Sequence, residues 1–176
     1  MRPTMPLLSL MHCAAALALA GCASSQNLPC PACAAHTDWQ AYPKVMLDPI
    51  AVQPGDGNTF EGLTASEQEA LALYMDARFG DALNETRALV NWVSPGTLRL
   101  KLTLTGATAA ARNGDGMAPC VSYAVEMRDA SSQRLLMAYA AKQCPNPLQL
   151  PAGAGTMAAA EAGLRTGAKE LAQRLQ

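Results

Sequence analysis

Thr97-Leu98-Arg99-Leu100-Lys101-Leu102-Thr103-Leu104-Thr105 alternates without a break. Leucine takes every second place and a polar residue each place between, which is the two-residue period of a strand. The four leucines share one face, while Arg99, Lys101, Thr103 and Thr105 share the other. The strand therefore belongs to a sheet with one buried and one wet face. Such a sheet needs a covering layer, and the flanking sequence supplies it.

Downstream, Gly106–Pro119 reads as a loop. Cys120–Arg128 then alternates with Val121, Tyr123, Val125 and Met127 on one side, and Asp129–Gln133 is turn chemistry before Arg134–Cys144 returns. A hairpin centred on Ser132 sets Val125 opposite Tyr139, Met127 opposite Met137, and Cys120 opposite Cys144. Only registers of that parity keep the apolar faces together, because a slip of one residue inverts a strand. Upstream, Ala88–Val93 reads as a strand ended by Ser94-Pro95-Gly96. Tyr42–Val52 is extended around Pro49, which suits an edge strand or a kink.

Two stretches carry helical spacing. Thr64 with Glu67 forms a capping box, and Ser66 with Glu69 offers the same pattern two residues later. Leu71, Tyr74, Met75, Phe79, Ala82 and Leu83 then recur three and four apart as far as about Glu85. After the Pro/Gly-rich connection 145–155, Met157, Ala160, Leu164, Ala168, Leu171 and Leu175 mark a second amphipathic helix. The expected fold is α+β: a largely antiparallel sheet of about four strands with two helices packed on one face, in the order β-α-β-β-β-α.

The N-terminus has another character. Arg2 precedes an apolar run from Leu7 to Ala20, which has the parts of a secretory signal and falls short of the ~20 residues of a membrane span. Leu19-Ala20-Gly21-Cys22 resembles the lipobox of bacterial lipoproteins. That resemblance implies cleavage between Gly21 and Cys22, a diacylglyceryl thioether on the Cys22 sulfur and a third acyl chain on its amine, and several chains hold a domain stably on a bilayer. Ala23 stands where an Asp would favour inner-membrane retention, so the resemblance places the chain on the outer membrane, facing the periplasm. The expected organisation is a signal peptide at 1–21, a flexible tether at 22–41 that could reach ~60 Å when extended, and one domain at 42–176. Loss of Arg2 takes the 13 basic residues to 12 against 14 acids, a net charge of −2. This balance excludes nucleic acid as a partner, which needs a basic face, and offers no polybasic run for a membrane.

Four cysteines remain beyond Cys22. In an exported chain an even number reads as disulfides, and the hairpin register pairs Cys120 with Cys144. Cys30-Pro31-Ala32-Cys33 admits a local disulfide, a thiol–disulfide redox pair, or a metal site with His36. The tether supplies neither the strand nor the helix N-terminus that lowers a redox thiol pKa, and no fourth metal ligand lies nearby. His36 is the only histidine after cleavage, and Gly-x-Ser-x-Gly, Walker and dinucleotide motifs are absent. Glu61, Glu67, Glu69, Asp76 and Asp81 read as a solvated helix face. No catalytic residue, cofactor or metal is expected.

The region from Tyr42-Pro43-Lys44-Val45 onward, with Gly96-Thr97-Leu98-Arg99-Leu100, Thr103-Leu104-Thr105-Gly106-Ala107 and Val125-Glu126 before Asp129-Ala130, resembles a bacterial lipoprotein family of no assigned function, of the domain of unknown function 3313 type. Ser131-Ser132-Gln133 replaces the family's usual Thr-Gly-Glu, and the Cys120/Cys144 pair is a further departure. The resemblance brings no catalytic residues. The expected role is a non-catalytic outer-membrane lipoprotein, held through lipid at Cys22, that binds or scaffolds an envelope protein. Its docking surfaces would be the wet sheet face and the Pro49 strand. The rival is a tethered redox or metal-handling protein using Cys30 and Cys33.

Overall fold

The leucine strand became the axis of the structure. A computed structural model describes residues 37–109, 119–151 and 153–176. In it β4, Thr97–Thr108, is bordered by β5, Cys120–Asp129, and on its other side by an interrupted companion made of β1, Lys44–Leu47, and β2, Ala51–Val52. β3, Ala88–Leu89, and β6, Leu135–Gln143, form the two edges, giving the order β3-β1-β4-β5-β6 with β2 also on β4. Helix α1, Ala65–Asn84, and helix α2, Thr156–Arg174, cover one face.

The class is α+β. The sheet, however, is mixed and has six strands rather than four in a largely antiparallel array. The β4–β5 and β5–β6 pairs are antiparallel, whereas β1–β3, β1–β4 and β2–β4 are parallel. The reason is α1, which lies between β2 and β3. A chain that crosses back over a sheet through a helix re-enters parallel to the strand it left. β1 is also an interior strand and not an edge, and Pro49 falls in the gap between β1 and β2, where a missing N–H costs no ladder bond. The companion strand continues past β2 through Gln53 N–H to the Leu104 carbonyl (3.0 Å) and ends at a bridge between Phe60 and Ala107. This carries β4 beyond Thr105 into the stretch read as loop, of which residues 110–118 lie outside the described part.

The β5–β6 register pairs Val125 with Tyr139 and Met127 with Met137, as hairpin parity requires, with a bulge after Met127 that admits Leu136. At the turn the Asp129 carboxylate accepts from the backbone N–H groups of Ser132 (2.7 Å) and Ser131 (3.0 Å), and from the Tyr42 hydroxyl (3.1 Å). These bonds, the Ser132 backbone first, hold its pKa below the ordinary carboxylate value. α1 starts at the earlier of the two candidate caps. Glu67 N–H donates to Thr64 Oγ1 at 3.3 Å, and Thr64 N–H donates back to Glu67 Oε2 at 2.8 Å. Upstream, Trp39–Ala41 forms a 3-10 turn and Trp39 packs on the core, so ordered structure reaches into the segment read as tether.

The core lies between the helices and the sheet. Leu98, Leu100, Leu102 and Leu104 are fully buried beneath Leu71, Met75, Phe79 and Leu83 of α1 and Leu164 and Leu171 of α2. Burial of each leucine stabilises the fold by ~1.5–3 kcal/mol. α2 reaches the sheet closely because Gly163 and Gly167 face it. A Cβ at 163 would sit 2.7 Å from Val121 Cγ1, and one at 167 would fall on the Tyr123 hydroxyl, 2.8 Å from Cζ. Gly167→Ala should therefore cost about 1–3 kcal/mol through overpacking. Adding Tyr123→Phe removes the obstructing oxygen, so denaturant titration should give a double-variant loss smaller than the sum of the singles.

Candidate functional site

α1 buries one stripe and leaves another side bare. Glu69, Leu73, Asp76, Ala77 and Gly80 stand on the flank turned toward β1–β3, and Leu73 is 72% exposed. The small side chains at 77 and 80 leave a gap against the sheet edge. Its far wall is Leu47, Leu89 and Val90, closed by Trp92, which is 60% exposed. Next to it the Pro49 break leaves a second hollow lined by Pro49, Ile50, Val52, Ala72 and Leu73. The hollows measure ≈ 630 and ≈ 580 Å³ and share Leu47 and Asp76, so they form one groove along α1. Exposed apolar side chains gathered in a groove mark a contact surface more often than singly scattered ones. Its charged rim is wholly acidic: Glu69, Asp76, and Asp81, whose carboxylate pairs with Arg78 at 3.2 Å.

A second depression, ≈ 460 Å³, lies on the wet sheet face between Asp48, Pro49, Arg99, Lys101, Glu126, Arg128 and Gln133. Arg99 Nε donates to both Asp48 oxygens at 3.0 Å, and Arg128 Nε donates to Glu126 Oε1 at 2.6 Å. Both pairs are part-exposed, so each contributes only ~0–1 kcal/mol. Lys101 stands among them without an ionic partner among the described residues.

The buried polar groups serve packing. Burial pushes the Tyr139 hydroxyl up to about 12 and that of Tyr123 higher still, so both stay neutral at physiological pH. Arg174 lies over the Tyr139 ring at 4.7 Å, and Gln143 Nε2 donates to Glu170 Oε2 at 2.6 Å, linking α2 to β6. Arg87, 8% exposed, donates to the Leu175 carbonyl at the α2 C-terminus, where a cation meets the negative helix end. Burial lowers its pKa. No group of three or more His, Cys, Asp or Glu able to hold a metal occurs among the described residues, nor is any helix there long and apolar enough to cross a membrane.

Of the residues singled out from sequence, Gly21, Cys22, Cys30, Cys33 and His36 lie outside the described part. Cys120 and Cys144 are joined as a disulfide with their Cα atoms 4.1 Å apart. The wet face and Pro49 both line surface depressions. Leu73, Leu89 and Trp92 were missed as surface residues. The available signal was that Leu73 falls off the spacing of the buried stripe.

These features define a disulfide-clamped α+β domain with a surface groove. Residues 33–171 match the family described as "Protein of unknown function (DUF3313)", and the chain belongs to that family. No curated protein matches it. Similar solved structures include a PelC dodecamer from Paraburkholderia phytofirmans, with 13% identity over 83% of this chain and 96% of that one and a TM-score of 0.45. Protein XCC0632 from Xanthomonas campestris shows 14% identity over 74% and 84%, TM-score 0.46. Lipoprotein GNA1162 from Neisseria meningitidis shows 10% identity over 62% and 88%, TM-score 0.39.

The Cys120–Cys144 bond closes a loop with a sequence separation of 24. Reduction should lower unfolding free energy by about 3 kcal/mol, read as the difference between denaturant midpoints with and without reductant. A Cys120→Ala/Cys144→Ala variant should show no such reductant dependence.

Proposed function

We propose that this chain is a lipid-anchored, periplasm-facing outer-membrane lipoprotein that acts by docking another envelope protein rather than by catalysis. The observation that carries the docking is the acid-rimmed apolar groove along α1. An occupant suited to it is a protein segment with apolar side chains for the Leu47–Leu73–Trp92 walls and basic flanks for Glu69 and Asp76. Anchoring is supported by the Leu19-Ala20-Gly21-Cys22 sequence and the apolar run before it.

A photo-crosslinking residue placed at Leu73 in cells should give one discrete protein adduct, and Trp92→Asp should abolish it while moving stability by less than about 0.5 kcal/mol, because Trp92 is exposed. Absence of any adduct at Leu73 overturns the docking reading. Anchoring is read separately. Cells fed a palmitate analogue should label the wild-type chain and leave Cys22→Ser unlabelled, and an unlabelled wild-type chain rejects the lipid.

A further inference from the structure

The wet face of the sheet gathers cations that the sequence scatters. Val45, Leu98, Leu100, Leu102, Met127 and Ala141 point into the core. Period-two alternation therefore turns Lys44, Arg99, Lys101, Arg128 and Lys142 to the opposite side, with only Asp48 and Glu126 as acids among them. The two acids are consumed by Arg99 and Arg128, and Lys44 donates to a neutral partner, Ser94 Oγ, at 3.1 Å. The face keeps an excess of three positive charges in a protein with more acids than bases, while α1 on the other side carries the acidic groove rim. Between the cations the surface is floored by small side chains, Ala124 paired with Ala140, and Ala138 opposite Glu126. Cations spread over four strands, around the depression at Arg99, Lys101 and Arg128, suit an extended anionic surface better than a single enclosed ion. Lys44 follows Cys22 by 22 residues in sequence, which bounds the reach from the anchor to this face at ~75 Å.

We propose that the Lys44–Arg99–Lys101–Arg128–Lys142 face rests on anionic phospholipid headgroups of the membrane that carries the chain. The groove is thereby turned away from the bilayer toward soluble or neighbouring partners. The inference rests on the anchored reading for its setting, but the face's preference for anionic lipid is measurable without it.

The test uses the full chain as purified from cells, with whatever acyl groups it carries, and vesicles of phosphatidylcholine alone or with about 30% phosphatidylglycerol, a content that supplies a negative surface potential. Acyl chains enter both vesicles alike, so the ratio of the two partition coefficients reads the face. That ratio should exceed about tenfold at low salt and collapse toward one near 1 M salt, where the screening length is ~3 Å. Lys101→Gln/Lys142→Gln should lower it about thirtyfold or to unity, whereas Lys169→Gln on α2 should leave it unchanged. Acylation of Lys101 and Lys142 by a water-soluble reagent should slow several-fold on the phosphatidylglycerol vesicles and not on the neutral ones. Equal partitioning overturns the proposal, as does a preference that the double substitution leaves undiminished, or equal protection by inorganic phosphate without vesicles. Loss of palmitate labelling with the lipid preference retained rejects the anchor alone.

Discussion

Everything in this domain is arranged around keeping four leucines of one strand dry. Leu98, Leu100, Leu102 and Leu104 are fully buried, and β4 is bordered by β5 on one side and by β1 and β2 in turn on the other. Its backbone groups are satisfied by β5 on one side and by the broken companion on the other, which is the condition for burying a central strand. Once that face must be covered, α1 and α2 have fixed work. Their apolar stripes meet the leucines, and Gly163 and Gly167 let α2 close down on Tyr123 and Val121.

The same alternation explains how much of the fold was legible in sequence. Side-chain parity is a local property, so the β5–β6 register, the Thr64 cap and both helices followed from residues within one element of each other. Topology is not local. Whether Val45 lies beside Leu98 or at the far edge depends on where α1 returns the chain, and no residue in Tyr42–Val52 records it. β3 is two residues long, too short for periodicity to separate strand from loop, and its parallel pairing with β1, together with that of β1 and β2 with β4, makes the sheet mixed rather than largely antiparallel.

The groove was illegible for a related reason. Its walls come from α1, from the gap at Pro49 and from the stretch after β3, and nothing in one segment shows that the others face it. Leu73 alone gave a hint, as an apolar residue on the side of the helix opposite to Leu71, Met75 and Phe79. Its exposure has an energetic meaning. Ala77 and Gly80 opposite Leu89 fill little space, and Gly80 is not forced by crowding, since a Cβ there would have Leu89 Cδ1 at an ordinary 3.9 Å. An alanine at 80 would meet only that ordinary contact, yet the position is glycine and the gap is open. Stability comes from the leucine core and the Cys120–Cys144 clamp, leaving this flank free of a packing duty.

Charge follows the same division. A net charge of −1 over the whole sequence hides two surfaces of opposite sign, because strands distribute neighbours in sequence to opposite faces while helices gather residues three and four apart. Arg99 and Lys101 reach the wet side only because leucines take the alternate places, and Arg128 and Lys142 join them through the pairing register of β5 and β6 rather than through proximity in the chain. Slipping β6 by one residue against β5 would turn Lys142 toward the core and Tyr139 out of it. The burial that holds the domain folded is thus also what assembles its positive face, so the electrostatic asymmetry is as fixed as the core and needs no further residues to maintain it.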